Sequence, residues 1–152
     1  MDTKTSGLGQ TLLIVEDDVL PAISLRDELE DAGYHVLDLT GRRQEALQAA
    51  KDHRPDLALV NIELEGRDDG IALARDLKGL GVPSLFISGQ TGRARSARTD
   101  AIGSLPKPYT PADVAKAVAY LLGRMTGDET LPCPPGLEVF GAAPDEAVSE
   151  PA

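Results

Sequence analysis

Four short segments of the sequence place polar side chains at the ends of apolar runs. Glu16 and Asp17 follow the first run, and adjacent carboxylates repel each other unless a cation neutralises them. Mg²⁺ suits such a pair, because it takes oxygen ligands from one or two carboxylates together with water and phosphate oxygens. Asn61, Ser88 and Lys107 end or follow later runs and add an amide, a hydroxyl and an ammonium group. A hydroxyl and an ammonium beside a divalent cation are what the binding of a phosphoryl group requires.

The apolar runs alternate with segments of helical periodicity, which indicates five strand–helix units. Strict alternation of this kind favours one parallel sheet with helices on both faces, joined by right-handed crossovers. Ligands of such sheets bind beyond the carboxyl ends of the strands, so the polar side chains should converge on one crevice. The predicted strands are 11–15, 34–39, 56–62, 83–88 and 102–105, and the predicted helices are 19–32, 41–53, 70–80, a weakly patterned 90–100, and 110–123.

Two of the predicted helices begin with residues that favour an N-terminal cap. Thr110 and Pro111 precede Asp113, a sequence typical of a capped helix with an acidic first turn. Asp18 is predicted to cap the helix that follows the first strand. The two preceding carboxylates are then left for the cation.

The composition predicts one globular domain of ordinary size. The chain of 152 residues has a net charge of −10, which repels a phosphate backbone and argues against nucleic acid as a direct partner. No apolar run approaches the ~20 residues that span a bilayer, the start is polar, and Cys133 is the only cysteine. These features favour a cytoplasmic protein with no membrane partner.

The chain divides into three expected parts. Residues 1–10 are expected to be a flexible N-terminus, and residues 11–123 the folded domain. Residues 124–152 form a proline-rich acidic tail, which we expect to be disordered or peripherally docked. The apolar patch at 137–140 could dock on the domain or on a partner.

Four segments at the predicted strand ends carry the pattern of a known family. They read Leu-Leu-Ile-Val-Glu-Asp-Asp, Asp-Leu-Ala-Leu-Val-Asn-Ile, Phe-Ile-Ser-Gly and Leu-Pro-Lys-Pro-Tyr. In this order, across about residues 11–123, they resemble the receiver domain of two-component response regulators. The stretch Ser-Leu-Phe-Ile-Ser-Gly-Gln, followed later by Lys-Pro-Tyr, is similar to small stand-alone receivers of alphaproteobacteria. The resemblance implies a flavodoxin-like (βα)5 fold with strand order 2-1-3-4-5. We expect no DNA-binding output domain after Gly123.

The resemblance also assigns roles to the residues of the crevice. It implies transfer of a phosphoryl group from a histidine kinase to an aspartate at the end of the third strand. Glu16 and Asp17 match the acidic pair that binds Mg²⁺, with the backbone carbonyl of Glu63 as a further ligand. Ser88 matches the hydroxyl that holds a phosphoryl oxygen. Lys107 matches the lysine of the family pattern, and a cis bond is expected before the proline that follows it.

The phosphoacceptor position of the pattern holds Asn61, whose amide nitrogen is delocalised into its carbonyl and is not a nucleophile. No acyl phosphate is therefore expected at this residue. With one carboxylate fewer in the crevice, we expect Mg²⁺ to bind weakly or not at all. Lys107 is expected to bond the Asn61 carbonyl instead. Ser104 stands where the family often has an aromatic residue, so the rotamer switch associated with that aromatic is absent.

These departures leave two interpretations open. The chain is either a natural pseudo-receiver that signals through protein contacts, or an ordinary phospho-switched regulator with an engineered asparagine at 61. A small Mg²⁺-dependent phosphotransfer enzyme is disfavoured, because no nucleophile ends the third strand, and we expect no enzyme activity.

The resemblance suggests partners without fixing them. We expect a histidine kinase or another signalling protein as partner, and a homodimer remains open because receivers often self-associate. A group of basic and aromatic residues near the fourth and fifth strands is either a solvated face or a partner surface. These residues are Arg93, Arg95, Arg98 and Tyr109.

Overall fold

Five parallel strands form the centre of the structure, and a short antiparallel strand extends the sheet at one edge. This computed structural model describes residues 9–64, 69–89 and 91–140. The strand order is β2-β1-β3-β4-β5-β6, so the predicted flavodoxin-like arrangement of the first five strands is confirmed. The strands are Thr11–Val15 (β1), His35–Val36 (β2), Leu57–Asn61 (β3), Ser84–Ser88 (β4), Gly103–Pro106 (β5) and Glu138–Val139 (β6). The predictions for residues 1–8 and 141–152 concern residues outside this description.

Within the described ranges, five helices connect the parallel strands or follow them. The helix between β4 and β5 is only six residues long, in keeping with its weak pattern in the sequence. The helices are Val19–Asp31 (α1), Arg43–His53 (α2), Gly70–Gly79 (α3), Thr91–Ser96 (α4) and Pro111–Met125 (α5). No helix in the described part of the chain is both long enough and apolar enough to span a bilayer.

Strand β2 is much shorter than predicted. The sequence predicted residues 34–39, whereas ladder pairing with β1 covers only His35 and Val36. The chain returns to the sheet at Thr40, which forms an isolated parallel bridge with Val15. β2 is an edge strand that pairs with β1 alone. The rest of its predicted length can therefore leave the ladder without breaking the pairing of any other strand.

The core consists of two apolar layers, one on each face of the sheet. Alternate residues of a strand point to opposite faces, so Leu12 and Ile14 belong to the layer under α1 and α5. Leu13 and Val15 belong to the layer under α2, α3 and α4. All residues of β3 and β4 are buried, as expected for central strands covered by helices on both faces.

Helix α5 begins at the predicted cap. The Thr110 hydroxyl accepts a hydrogen bond from the backbone N–H of Asp113 at 3.1 Å, and the Asp113 carboxylate accepts one from the N–H of Thr110 at 2.9 Å. The prediction for Asp18 was wrong in one respect. Asp18 stands at the N-cap position of α1, but its side chain makes no capping hydrogen bond. Its backbone N–H instead donates to the Glu16 carboxylate at 3.1 Å.

We predict that Thr110→Ala lowers the free energy of unfolding by about 1 kcal/mol, because it removes half of the reciprocal cap of α5. Urea denaturation followed by circular dichroism measures this change. Lys116→Ala alters an exposed residue of the same helix and should change the free energy by less than about 0.5 kcal/mol. Equal effects of the two substitutions would contradict the role of the cap.

The segment after α5 returns to the sheet. Strand β6 pairs antiparallel with β5, and the buried side chains of Leu137 and Phe140 flank it. The sequence left two places for the 137–140 patch, and the structure packs it on the domain itself. Two paired residues have no detectable period, so the sequence did not indicate a strand here.

Candidate functional site

The polar residues at the strand ends meet at the carboxyl edge of the sheet. Glu16 directly follows β1, Asn61 ends β3, Ser88 ends β4, and Lys107 directly follows β5. Glu16, Asn61 and Ser88 are buried, whereas the Lys107 side chain is 40% exposed. The backbone N–H of Lys107 donates to the Ser88 carbonyl at 2.9 Å, which joins the last two strand ends. The crevice predicted from the alternating pattern is therefore present.

The side-chain amide of Asn61 lies at the centre of this crevice. Its Nδ2 is 2.9 Å from the carbonyl oxygen of Glu63, 3.1 Å from Oε2 of Glu16 and 3.5 Å from Oδ1 of Asp17. The amide orientation follows from these contacts, because the opposite orientation would turn Oδ1 toward three oxygen atoms. The NH2 group of Asn61, with two N–H donors shared among three acceptors, therefore donates to the groups that the family resemblance assigns to Mg²⁺, and its longest contact is to Asp17.

Gly70, the first residue of α3, is a part of the site that sequence reasoning missed. A Cβ atom at this position would overlap the backbone carbonyl of Asn61 and lie 2.8 Å from Cα of Ile62. The N–H of Gly70 also donates to the Ile62 carbonyl at 2.8 Å. Helix α3 thus begins in direct contact with the backbone that carries Asn61, and only glycine leaves room for this contact.

Gly41 holds the other side of the crevice in a similar way. A Cβ atom there would lie 2.7 Å from Cα of Asp17, so the chain between β2 and α2 passes directly against the acidic pair. Glu16 donates its backbone N–H to the Thr40 carbonyl at 3.0 Å beside this contact. The only sequence signal for either position is the glycine itself.

Glu16 is the most deeply buried charge of the crevice. Burial raises the pKa of its carboxyl group above the ordinary value, while the Asp18 N–H and the positive charge of Lys107 oppose that rise. Its Oε1 has no hydrogen-bond partner among the described residues and lies 3.9 Å from Nζ of Lys107. Burial, together with the charge of Glu16, also raises the pKa of Tyr109 to about 12.

Lys107 does not make the contact predicted for it. We expected its ammonium group to bond the Asn61 carbonyl, but the ion-pair partner of its Nζ is Glu16. The amide of Asn61 turns its nitrogen toward the acidic residues, and Glu16 is left as the buried negative charge within reach of the lysine. The bond between Lys107 and Pro108 is cis, as predicted.

The basic residues of the suggested partner surface have partners within the chain. Arg93 lies 3.3 Å from Asp69 at the start of α3, and Arg95 lies 2.9 Å from Glu138 of β6. Arg98 donates to the carbonyl of Arg95 at 3.3 Å. Tyr109 is half-buried and packs against the apolar layer under α1 and α5. Sequence reasoning missed Glu138 because its position opposite β5 depends on the unpredicted sixth strand.

The family model for the response regulator receiver domain matches residues 12–119. The chain belongs to the response regulator receiver family. Receivers are generally regulatory domains of two-component signalling rather than enzymes, and they interact with histidine kinases or phosphotransfer partners. The match covers all four strand ends of the crevice.

Curated relatives support this assignment over the same region. The phyllosphere-induced regulator PhyR of Methylorubrum extorquens is 32% identical over 114 residues, which cover 73% of this chain and 43% of PhyR. The transcriptional regulatory protein PdtaR of Mycobacterium tuberculosis is 28% identical over 117 residues, which cover 74% of this chain and 57% of PdtaR. The similar regions thus span about half the length of these relatives.

Solved structures show the same fold. The signal receiver domain of a modulated diguanylate cyclase from Desulfovibrio desulfuricans is 34% identical, with a TM-score of 0.66, and the match covers 76% of this chain and 95% of that one. A CheY-like receiver domain from Methanospirillum hungatei gives a TM-score of 0.68 at 24% identity, with 77% of this chain and 96% of that chain covered. The second likeness concerns the fold alone.

Receiver domains typically bind Mg²⁺ at this crevice, but the donor set here does not fit a resident divalent cation. Three oxygen atoms that would serve as ligands already accept hydrogen bonds from Asn61, so a cation among them would meet N–H hydrogens. Among the residues that the structure describes, no group of three or more His, Cys, Asp or Glu residues is arranged to hold a metal ion. The misfit arises from the amide at position 61.

Proposed function

We propose that this receiver signals through protein–protein contacts and is not switched by phosphorylation of residue 61. The single observation that carries the proposal is the amide of Asn61 at the acceptor position, with its nitrogen bonded to the acidic residues. The partners under this proposal are a histidine kinase or another signalling protein. Its output is set by which partner binds.

The chemistry of phosphoryl transfer supports the proposal. In an ordinary receiver a carboxylate oxygen attacks phosphorus while the bond from phosphorus to the donor breaks, which leaves an acyl phosphate on the protein. The amide of Asn61 has no anionic oxygen, and the lone pair of its nitrogen is delocalised into the carbonyl. The residue therefore lacks a nucleophile for this step.

The hydrogen bonds of Asn61 also perform the charge compensation that a cation otherwise provides. The amide N–H group offers partial positive charge to Glu16 and Asp17, and Lys107 offers a full one to Glu16. We infer that Mg²⁺ binds weakly, because it must break these bonds before it can coordinate the same oxygens. Without a covalent switch, a partner shifts the conformation only by its differential affinity for two states.

Intact-mass measurement after incubation with Mg²⁺ and acetyl phosphate tests the proposal. We expect no added phosphoryl group on the unaltered chain or on Asn61→Ala, and a phosphoryl adduct on Asn61→Asp. The Asn61→Ala chain serves as the matched control, because it lacks both the amide and a carboxylate at this position. An adduct on the unaltered chain that is absent from Asn61→Ala would contradict the proposal. If the adduct persisted in Asn61→Ala, it would lie on another residue.

The surroundings of residue 61 favour one alternative. Glu16, Asp17, Ser88 and Lys107 match the family pattern in the sequence, which supports the idea that an aspartate at 61 would meet a complete set of neighbours. This favours a phospho-switched regulator in which asparagine replaced the acceptor by engineering. The genomic codon for residue 61 separates the two: an asparagine codon supports the natural pseudo-receiver, and an aspartate codon supports the alternative.

A further inference from the structure

The last described segment of the chain occupies an edge that a five-stranded receiver sheet leaves open. In β6, Glu138 pairs with Ser104 and Val139 pairs with Gly103 of β5. The N–H of Phe140 then donates to the Ile102 carbonyl at 2.9 Å. The end of the described chain therefore satisfies backbone groups of the outermost parallel strand.

The side chains of this segment alternate between the two apolar layers. Leu137 is buried in the layer under α1 and α5, and Val139 packs against the same layer. Phe140 is buried in the layer under α4, together with Phe86 and Ala94. The exposed fractions of Leu137 and Phe140 are 9% and 6%, so both side chains are inserted rather than laid on the surface.

Charge and shape add specificity to this contact. Between the two inserted side chains, both carboxylate oxygens of Glu138 lie within 3.1 Å of Nε of Arg95 on α4. Gly103 of β5 has no Cβ, and one placed there would lie 3.0 Å from the Glu138 carbonyl oxygen. The edge thus recognises an apolar residue, an acidic residue, a partly buried apolar residue and a second buried apolar residue in sequence.

We propose that the β5 edge, with Arg95 beside it, is a recognition surface for an extended segment of a partner protein, and that β6 is its displaceable internal occupant. Added strands gain affinity from main-chain hydrogen bonds and specificity from pockets for alternate side chains, and both features are present here. The proposed surface is the edge of β5 that faces away from β4. It does not depend on the chemistry of residue 61.

The connection between α5 and β6 is exposed along most of its length, so release of β6 would uncover little of its apolar surface. Residues 126–136 carry exposed side chains at Leu131 and Cys133, and Gly127 and Gly136 adopt positive φ values of 90° and 87°. The strand itself contributes only two paired residues. A second copy of the chain is a poorer occupant than a less acidic partner, because two chains of net charge −10 repel each other.

Peptide binding to the full chain tests the proposal. The probe is a fluorescein-labelled peptide with the sequence of residues 135–140, Pro-Gly-Leu-Glu-Val-Phe, followed by fluorescence anisotropy. An internal occupant lowers apparent affinity by the fraction of chains whose edge is open, so Phe140→Ala and Glu138→Lys should each bind the peptide about tenfold more tightly than the unaltered chain. Leu131→Ala, an exposed change in the same connection, should bind as the unaltered chain does.

A charge reversal checks the role of Arg95. The peptide with lysine in place of its glutamate should bind Phe140→Ala about tenfold more weakly than the original peptide, and adding Arg95→Glu to the chain should restore binding. Hydrogen exchange of Phe140→Ala should rise at 103–105 and remain unchanged at β1 and β3, which shows that the domain is folded.

Three results would overturn the proposal. The first is equal peptide affinity of the unaltered and weakened chains, and the second is indifference of binding to the Arg95 reversal. The third is a dimer formed by reciprocal exchange of β6, seen by light scattering, which would assign the edge to a second copy rather than to a partner protein.

Discussion

Replacement of Gly70 with alanine should lower the free energy of unfolding by about 3 kcal/mol. The new methyl group would overlap the carbonyl oxygen of Asn61 and crowd Cα of Ile62. Both are backbone atoms, at the end of the buried strand β3 and directly after it, so neither can rotate away as a side chain could. Helix α3 must therefore shift from β3, which disturbs the apolar layer that holds Leu73 and Leu77. Urea denaturation measures the loss.

Gly79→Ala is the matched control, because Gly79 ends the same helix. A Cβ atom there has nothing within 4 Å, so alanine should be neutral or raise the free energy of unfolding by about 0.5 kcal/mol. The two substitutions add the same methyl group to one helix and should act with opposite sign. A small effect of Gly70→Ala would show that α3 does not press against the Asn61 backbone.

The second large effect is expected from Asn61→Asp in the absence of divalent cations. The substitution removes the amide hydrogen bonds to Glu16, Asp17 and the Glu63 carbonyl and places a third carboxylate beside the first two. Hydrogen bonds to charged groups contribute roughly 1.5–3 kcal/mol each when their loss leaves the partner buried, and Lys107 recovers part of the loss. We expect a decrease of about 3 kcal/mol in the free energy of unfolding.

Mg²⁺ should reverse this loss in the variant and leave the unaltered chain unchanged. A ligand that binds only the folded state at 100 times its dissociation constant stabilises by about 2.7 kcal/mol. Thermal unfolding with and without Mg²⁺ measures the response, and adding Asp17→Ala to Asn61→Asp should abolish it. Equal stabilisation of the unaltered chain by Mg²⁺ would contradict the view that the Asn61 amide replaces the cation.

The crevice could be predicted from the sequence because each strand end is marked locally, by an apolar run followed by a polar residue, and the same pattern recurs at several strands. The runs before Glu16, Asn61 and Ser88 are continuous and apolar, as buried parallel strands require, so the ends of those strands could be read directly. The alternation with helices predicted a parallel sheet covered on both faces, but the order of its strands came from the family resemblance. The position of Lys107 followed from the last strand in the same way.

The contacts inside the crevice could not be read from the sequence. An asparagine side chain can present either its oxygen or its nitrogen to a neighbour, and the choice depends on all three acceptors meeting in space. The partner of Lys107 depends on that choice. The constraint at Gly70 depends on the distance between a helix and a strand, for which one residue type gives no signal.

The edge strand was missed for a different reason. Two paired residues are too few for an alternating pattern, and the prolines around Cys133 favoured an irregular segment. The stabilising contacts are long-range: Leu137 and Phe140 enter layers built by residues far earlier in the chain. The apolar patch itself was visible in the sequence, but its place in the fold was not.

The orientation of the Asn61 amide can be measured directly. Asn61 is the only asparagine in the chain, so selective ¹⁵N-asparagine labelling yields one side-chain amide pair in a two-dimensional NMR spectrum. We predict two well-separated, slowly exchanging amide protons whose shifts do not change when acetyl phosphate is added together with Mg²⁺ at the concentration that saturates Asn61→Asp. Side-chain signals that move and saturate as Mg²⁺ is added would show that the cation displaces the amide, and would contradict a crevice whose carboxylates are neutralised by Asn61 and Lys107.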